Sequence, residues 1–363
     1  LATPTRTPAR LDGLQALRAF AAIGVVLFHA NNYFLPMVIL RGEDAGNFLR
    51  IGQHGVEVFF VLSGFLMMRA RGGEIGRPGR PAAFLKRRFL RIFPFYWAVL
   101  GAIGLGLALE PKFGLARSGM ANLAESALLL PGLGEPVMRV AWTLQHELMF
   151  YLAFALMIAR PAMGRGALLV WMAACMVGPA LASMPAPFDR VLSPFNLCFG
   201  IGMLAAIVAP RIPRRAGAAL VALGAVIFLA GAMGEMEGAP WGAGARVAIF
   251  GLASAPLVLG LSARGRVPPP LLFAGEASYA IYLTHGTALT LFGHALAGTA
   301  LPERLPSGVV LMLVSGLAVG AGLLAHLAVE RPLLALVRNG AGGVIGAARS
   351  LIAAPGQAGR RRS

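Results

Sequence analysis

The sequence predicts an all-α integral membrane protein of about ten transmembrane helices, with both termini in the cytoplasm. Three observations lead there. Hydrophobic residues make up 57% of the 363-residue chain and charged residues only 13%, outside the range of soluble globular domains. Apolar runs recur at the ~20 residues needed to cross ~30 Å of hydrocarbon. Basic residues alternate from loop to loop as the positive-inside rule requires.

The expected spans are 13–32, 52–70, 90–109, 142–159, 166–184, 190–209, 216–233, 244–262, 270–293 and 307–328. The run around Leu123–Pro131 is too short to span and belongs at the surface or in a re-entrant segment. With the N-terminus inside, 23 of the 32 Lys and Arg fall on the cytoplasmic side and eight outside, with Arg18 in the membrane. Reporter fusions at Gly79 and Gly134 should therefore report opposite faces. Two cytoplasmic reports would refute the ten-span count. The domain reading is a cytoplasmic segment over 1–12, a transmembrane domain over 13–335 and a basic, disordered tail over 336–363. The net charge of +17 needs no nucleic acid, because anionic lipid faces most of it. Cys175 and Cys198 sit in apolar runs and suggest neither a disulfide framework nor a metal site. No internal repeat supports an inverted-repeat transporter.

The first span carries two ionisable residues, Arg18 and His29. Eleven helical residues turn through about 1100°, so both lie on one stripe roughly 16 Å apart along the axis. Charge in hydrocarbon costs at least ~2.5–3.5 kcal/mol at mid-helix, which marks the stripe as a candidate site. A snorkelling Arg and a packed His would account for either residue alone.

Further polar faces open other spans. His54 and Glu57 share a face at the start of the second, where Ser63 and Gly64 thin the helix for close packing. Lys86, Arg87, Arg88 and Arg91 interleave with aromatics before Pro94. Guanidinium groups pair bidentately with phosphate, so this cluster suits a phosphorylated donor at the inner leaflet. A lipid anchor and topology signal is the plainer reading of the same run. Trp142, His146 and Glu147 enter the fourth span, with Tyr151 four residues on. A carboxylate there can orient an imidazole or receive a hydroxyl. Ser278, Tyr282 and His285 take one face of the ninth span.

These segments resemble the acyltransferase 3 family of membrane acyltransferases, in the branch near exopolysaccharide O-acetyltransferases. The resemblance lies in Leu-Gln-Ala-Leu-Arg with its gap to His29, Gly-Val-Glu-Val-Phe-Phe-Val-Leu-Ser-Gly-Phe, Arg-Arg-Phe-Leu-Arg-Ile-Phe-Pro, Trp-Thr-Leu-Gln-His-Glu, Gly-Glu-Ala-Ser-Tyr-Ala-Ile-Tyr-Leu-Thr-His and Val-Glu-Arg-Pro at 329–332. It implies a cytoplasmic acyl-CoA donor, acetyl-CoA above all, with no permanently bound cofactor. It also implies a glycan or lipid-linked saccharide hydroxyl as acceptor and the bacterial inner membrane as location. It singles out Arg18 and His29 as essential.

Joined to the chemistry, the resemblance yields a working mechanism. His29 acts as base or transient acyl carrier. Arg18 holds the donor, and Lys86, Arg87, Arg88 and Arg91 hold its phosphates. Glu57 or Glu147 keeps His29 in its working tautomer or orients the acceptor. Trp142, His146, Tyr282, His285, Ser278 and His54 complete the acceptor side. The rival reading is a proton-coupled or polyprenyl-linked sugar transporter using the same buried groups as a relay.

Overall fold

The computed structural model describes residues 11–34, 36, 47–109, 115–131, 136–178, 184–263 and 265–339, and all of its regular elements are helical. In chain order the principal helices are α1 (Asp12–His29), α2 (Gly55–Arg71), α3 (Arg80–Leu109), α4 (Leu115–Leu128), α5 (Trp142–Ala159), α6 (Pro161–Val177), α7 (Leu197–Val208), α8 (Gly217–Met236), α9 (Ala243–Ser262), α10 (Pro269–Glu276), α11 (Ser278–Ala297), α12 (Ser307–Ala325) and α13 (Arg331–Asn339). The described parts of the apolar segments expected to span are mostly helical, with 270–293 divided between two helices.

Among the described residues, seven helical stretches are long and apolar enough to cross a membrane. Two of the expected ten, 142–159 and 270–293, fall short for an instructive reason. They are helical, but they carry Gln145, His146 and Glu147 or Ser278, Tyr282 and His285, and these polar residues dilute their apolar character. The ninth is also interrupted at Ala277, between α10 and α11. The fifth begins earlier than 166, at Pro161, and its helix ends at Val177, giving a shorter apolar helix. Of the tail expected to be disordered over 336–363, residues 336–339 instead end the helix Arg331–Asn339, and 340–363 lie outside the described residues.

The outer surface is unlike that of a water-soluble protein, because many large apolar side chains face outward. Leu169, Val170, Met176, Leu204, Val226, Leu291, Met312 and Leu324 are exposed, whereas His54, Glu57, Gln145, His146, His285 and Glu330 are buried. An apolar exterior, with polar side chains kept inside a largely apolar interior, is what hydrocarbon as solvent selects.

α1 is the central helix. It packs against α2, α9, α10, α11 and α12, so its polar stripe faces other helices rather than lipid. Around it, α2 pairs with α7, α8 with α9, and α11 with α12. The α2–α7 pair shows how closely backbones approach. A Cβ added at Gly64 would lie 2.1 Å from the carbonyl oxygen of Phe199, and one at Gly202 only 2.0 Å from that of Val61. Small residues at such crossings are how membrane helices gain packing contacts. Gly202→Leu should lower the thermal stability of the detergent-solubilised protein by at least the ~1–3 kcal/mol typical of overpacking. Gly101→Leu, at a glycine facing open space, should leave it unchanged, and equal melting curves for the two variants would refute this packing.

The short run near Leu123 forms the end of α4. The Ser126, Ala127 and Leu130 carbonyls accept hydrogen bonds from Tyr96 Oη, Trp97 Nε1 and Gln145 Nε2 at 2.5, 2.7 and 2.6 Å. Side chains from α3 and α5 thus satisfy carbonyls that the helix end leaves open.

Candidate active site

His29 ends α1. Its Nδ1–H donates to the Val25 carbonyl at 2.9 Å, and since a carbonyl only accepts, Nε2 carries the lone pair in the neutral ring. The Phe28, Tyr33 and His285 rings surround the imidazole, His285 edge-on with centroids 4.9 Å apart. His285 donates in the same way from Nδ1 to the Tyr282 carbonyl. Its Nε2 is buried without a partner among the described residues. Two imidazoles from α1 and α11 therefore face each other with their basic nitrogens uncommitted, one half-buried and the other fully buried. A π-helical turn, Ala30–Phe34, follows His29 directly, a distortion frequent at functional sites.

Neither expected carboxylate bonds to His29. Glu57 accepts instead from His54 Nδ1 at 3.1 Å. Glu147 accepts from Ser63 Oγ at 3.1 Å and from Tyr151 Oη. The tautomer is set by α1's own backbone, because an i−4 carbonyl lies within reach of a helical His side chain without any partner helix.

Arg18 lies about three turns away on the same helix. It is half-buried and makes no hydrogen bond or ion pair among the described residues. The charged and phenolic groups whose fields reach it are Arg91, Glu147, Glu330 and Tyr151, from α3, α5 and the turn before α13. A guanidinium held in a protein interior with its donors uncommitted is poised for an anionic or carbonyl ligand.

The basic cluster of α3 divides by partner. Arg87 is bound to Glu74, which also takes Arg71, at 3.0 and 2.8 Å. Arg91 pairs with the fully buried Glu330, whose other oxygen accepts from His326 Nδ1 at 2.7 Å. Arg91 also lies over the Tyr279 ring. Arg88 rests on Phe84 and Tyr151 and forms no ion pair among the described residues. Lys86 is exposed, one helical step off this face. The four residues expected to act as one phosphate grip are therefore differently committed. Arg88, over the Tyr151 ring, and Arg18, within the field of Glu147 and Tyr151, are left without an ion pair among the described residues.

The remaining candidates separate likewise. Asn196 Nδ2 donates to the Arg190 and Val191 carbonyls, which turns its oxygen toward His146 Nδ1 at 2.8 Å. His146 is enclosed by Trp142, Phe60 and Phe195, so it ties α5 to the start of α7 rather than facing His29. Tyr282 Oη donates to the Val140 carbonyl, and Ser278 Oγ is buried without a partner among the described residues. His54 joins Glu57 to Glu235, with Nε2 2.9 Å from Glu235 Oε2, and stacks on Phe250. Sequence reasoning missed Glu235, Asn196, His326 and the role of Glu330. The last two had a legible signal, an i, i+4 His and Glu within an apolar span.

The Acyltransferase domain family matches residues 11–325. The chain belongs to the acyltransferase 3 family. It is 32% identical to the exopolysaccharide production protein ExoZ of Rhizobium meliloti (strain 1021) over 314 residues, covering 82% of this chain and 94% of that relative. Acyltransferase MdmB of Streptomyces mycarofaciens is 26% identical over 376 residues, 90% of this chain and 92% of MdmB. O-acetyltransferase OatA of Staphylococcus aureus (strain NCTC 8325 / PS 47) matches at 37% over 90 residues, 24% of this chain and 13% of OatA. No solved structure matches the chain. The protein is a multi-pass membrane acyltransferase of the O-acetyltransferase-like kind. Both Arg18 and His29 fall inside the matched region.

Proposed function

We propose that this acyltransferase moves an acyl group, acetyl above all, from cytoplasmic acyl-CoA to a hydroxyl of an exopolysaccharide, a cell-surface glycan or its lipid-linked precursor. The observation that carries the reading is the central helix itself. It presents an uncommitted guanidinium, Arg18, and an uncommitted imidazole nitrogen, His29 Nε2, on one stripe reaching from one end of the bundle towards the other. With ten spans and both termini inside, Arg18 lies toward the cytoplasm and His29 toward the outer face, which in this reading is the face of a bacterial inner membrane.

In this mechanism Arg18 and Arg88 hold the acyl donor near the inner side. Arg91, fixed by Glu330, and Arg87, fixed by Glu74, supply the positive field around its phosphates. His29 Nε2 takes the proton as the sugar oxygen attacks the thioester carbon. The C–S bond breaks, and the departing thiolate recovers that same proton from the imidazole to leave as CoA thiol. His285 is the second imidazole beside His29 and the first place where that proton can rest. Positive charge is needed where the tetrahedral oxyanion forms; Arg139, whose field reaches His29, is the candidate on the acceptor side. The name ExoZ, a protein of exopolysaccharide production, supports a polymeric or lipid-linked saccharide as acceptor.

The test is direct. Proteoliposomes are incubated with acetyl-CoA labelled in the acetyl group and with candidate glycans. Label in the glycan is the expected result. Saccharide translocation with no acetyl-CoA turnover would overturn the proposal in favour of transport.

A further inference from the structure

At the His29 end, a cavity of about 440 Å³ lies between the segment Asn47–His54, the end of α8 and the start of α9. Arg50, Gln53, Glu235, Trp241 and Arg246 line it, and Phe28 and Tyr33 form the wall it shares with His29. Resting on the glycan-acceptor reading above, we propose that this cavity binds an anionic saccharide unit of the acceptor. The ring packs on Trp241, and the negative group, a uronate carboxylate or a sugar phosphate, pairs with Arg246.

Three features of the cavity argue for this ligand. Its size falls within the roughly 300–1,000 Å³ of small-molecule sites and admits a short saccharide. Trp241 is seated on the bare backbone of Gly234, where a Cβ would lie 2.5 Å from the indole. The indole is thus a fixed plate, and its electron-rich face attracts the polarised C–H groups of a pyranose. The charges favour an anion. Glu235 Oε2 lies 2.9 Å from His54 Nε2 and accepts from Gln53 Nε2 at 3.2 Å, while its Oε1 is buried without a hydrogen bond among the described residues and faces Arg246 Nε. Arg246 approaches Glu235 only through Nε, at 3.6 Å, and is 41% exposed. Its two Nη atoms have no partner among the described residues, which leaves a planar fork matched to a carboxylate or phosphate. Arg50 lines the same wall, so two guanidinium groups and one carboxylate, Glu235, border the cavity.

Binding is read by calorimetry on the purified full-length protein in lipid nanodiscs, without acyl donor, so that its outcome is independent of transfer. Three probes of equal length are titrated: a uronate-containing oligosaccharide, its carboxyl-reduced counterpart and the reduced form bearing a terminal phosphate. At least one anionic probe should bind about tenfold more tightly than the neutral one, and which one does so identifies the source of the charge. Arg246→Gln should erase that preference, and Arg246→Lys, which keeps the charge without the fork, should retain part of it. Trp241→Ala should weaken all three probes, with Trp241→Phe recovering some affinity. Equal affinity for charged and neutral probes, or a preference that survives in a folded Arg246→Gln protein, would overturn the assignment. Failed transfer alongside intact binding would count against the catalytic reading and leave the cavity assignment standing.

Discussion

His29→Gln is expected to give a folded, membrane-inserted protein that binds acyl-CoA normally and transfers almost nothing. Gln keeps the polarity and can still donate to the Val25 carbonyl that holds Nδ1 at 2.9 Å. What it lacks is a lone pair that accepts a proton near neutral pH. Removing a positioned general base typically costs 10²–10⁴ in rate, and that loss should appear in kcat with little change in donor affinity. The sign of the pH dependence follows from the same group. The base works as neutral imidazole, so wild-type turnover should fall as the pH drops and the ring gains its proton. The Gln variant should lose that limb of the profile. His285→Gln separates the two rings: it removes the neighbouring proton site, and a smaller loss than at His29 is expected. Wild-type transfer by a well-inserted His29→Gln protein would refute the catalytic assignment.

Arg18→Gln should act on the donor instead. A hydrogen bond to a charged group contributes about 1.5–3 kcal/mol, equivalent to roughly 10–100-fold, and Arg18 has no hydrogen-bond or ion-pair partner to lose among the described residues. The expected result is a 10–100-fold rise in KM for acetyl-CoA with unchanged thermal stability. Glu330→Gln provides the contrast. It strips the fully buried partner from Arg91 and His326, and breaking a buried pair costs about 3–5 kcal/mol. That variant should melt earlier whether or not donor is present. A lower melting temperature for Arg18→Gln, with unaltered KM, would reassign Arg18 to structure.

The helical segments were legible in the sequence because hydrocarbon imposes one rule on every span, about 20 apolar residues with internally satisfied backbone. The rule weakens where function intrudes. Segments 142–159 and 270–293 carry so many polar residues that the finished helices fall below the apolarity of a simple span. Single residues were legible on the same ground. Arg18, His29, Glu57, Glu147 and His285 each stood out as an expensive group in an apolar run.

Partnership was not legible. Spacing along a helix shows which residues share a face, and it is silent on which helix that face meets. Glu57 and Glu147 looked equivalent as partners for His29, and α2 and α5 carry them to His54 and to Ser63 with Tyr151 instead. The arginines of α3 looked like one cluster until Glu74 and Glu330, which lie 13 and 239 residues from Arg87 and Arg91, divided them. Glu235 and Arg246 gave no sequence signal at all, being charges near helix ends where water or headgroups would satisfy them. By itself, then, the sequence determined the solvent, the helical class and the residues too costly to be accidental, because transfer free energy is a property of each residue and its immediate run. Tertiary structure alone decided the pairings, the open guanidinium groups and the cavity beside His29, because hydrogen bonds and ion pairs act over about 3 Å and depend on helices distant in the chain.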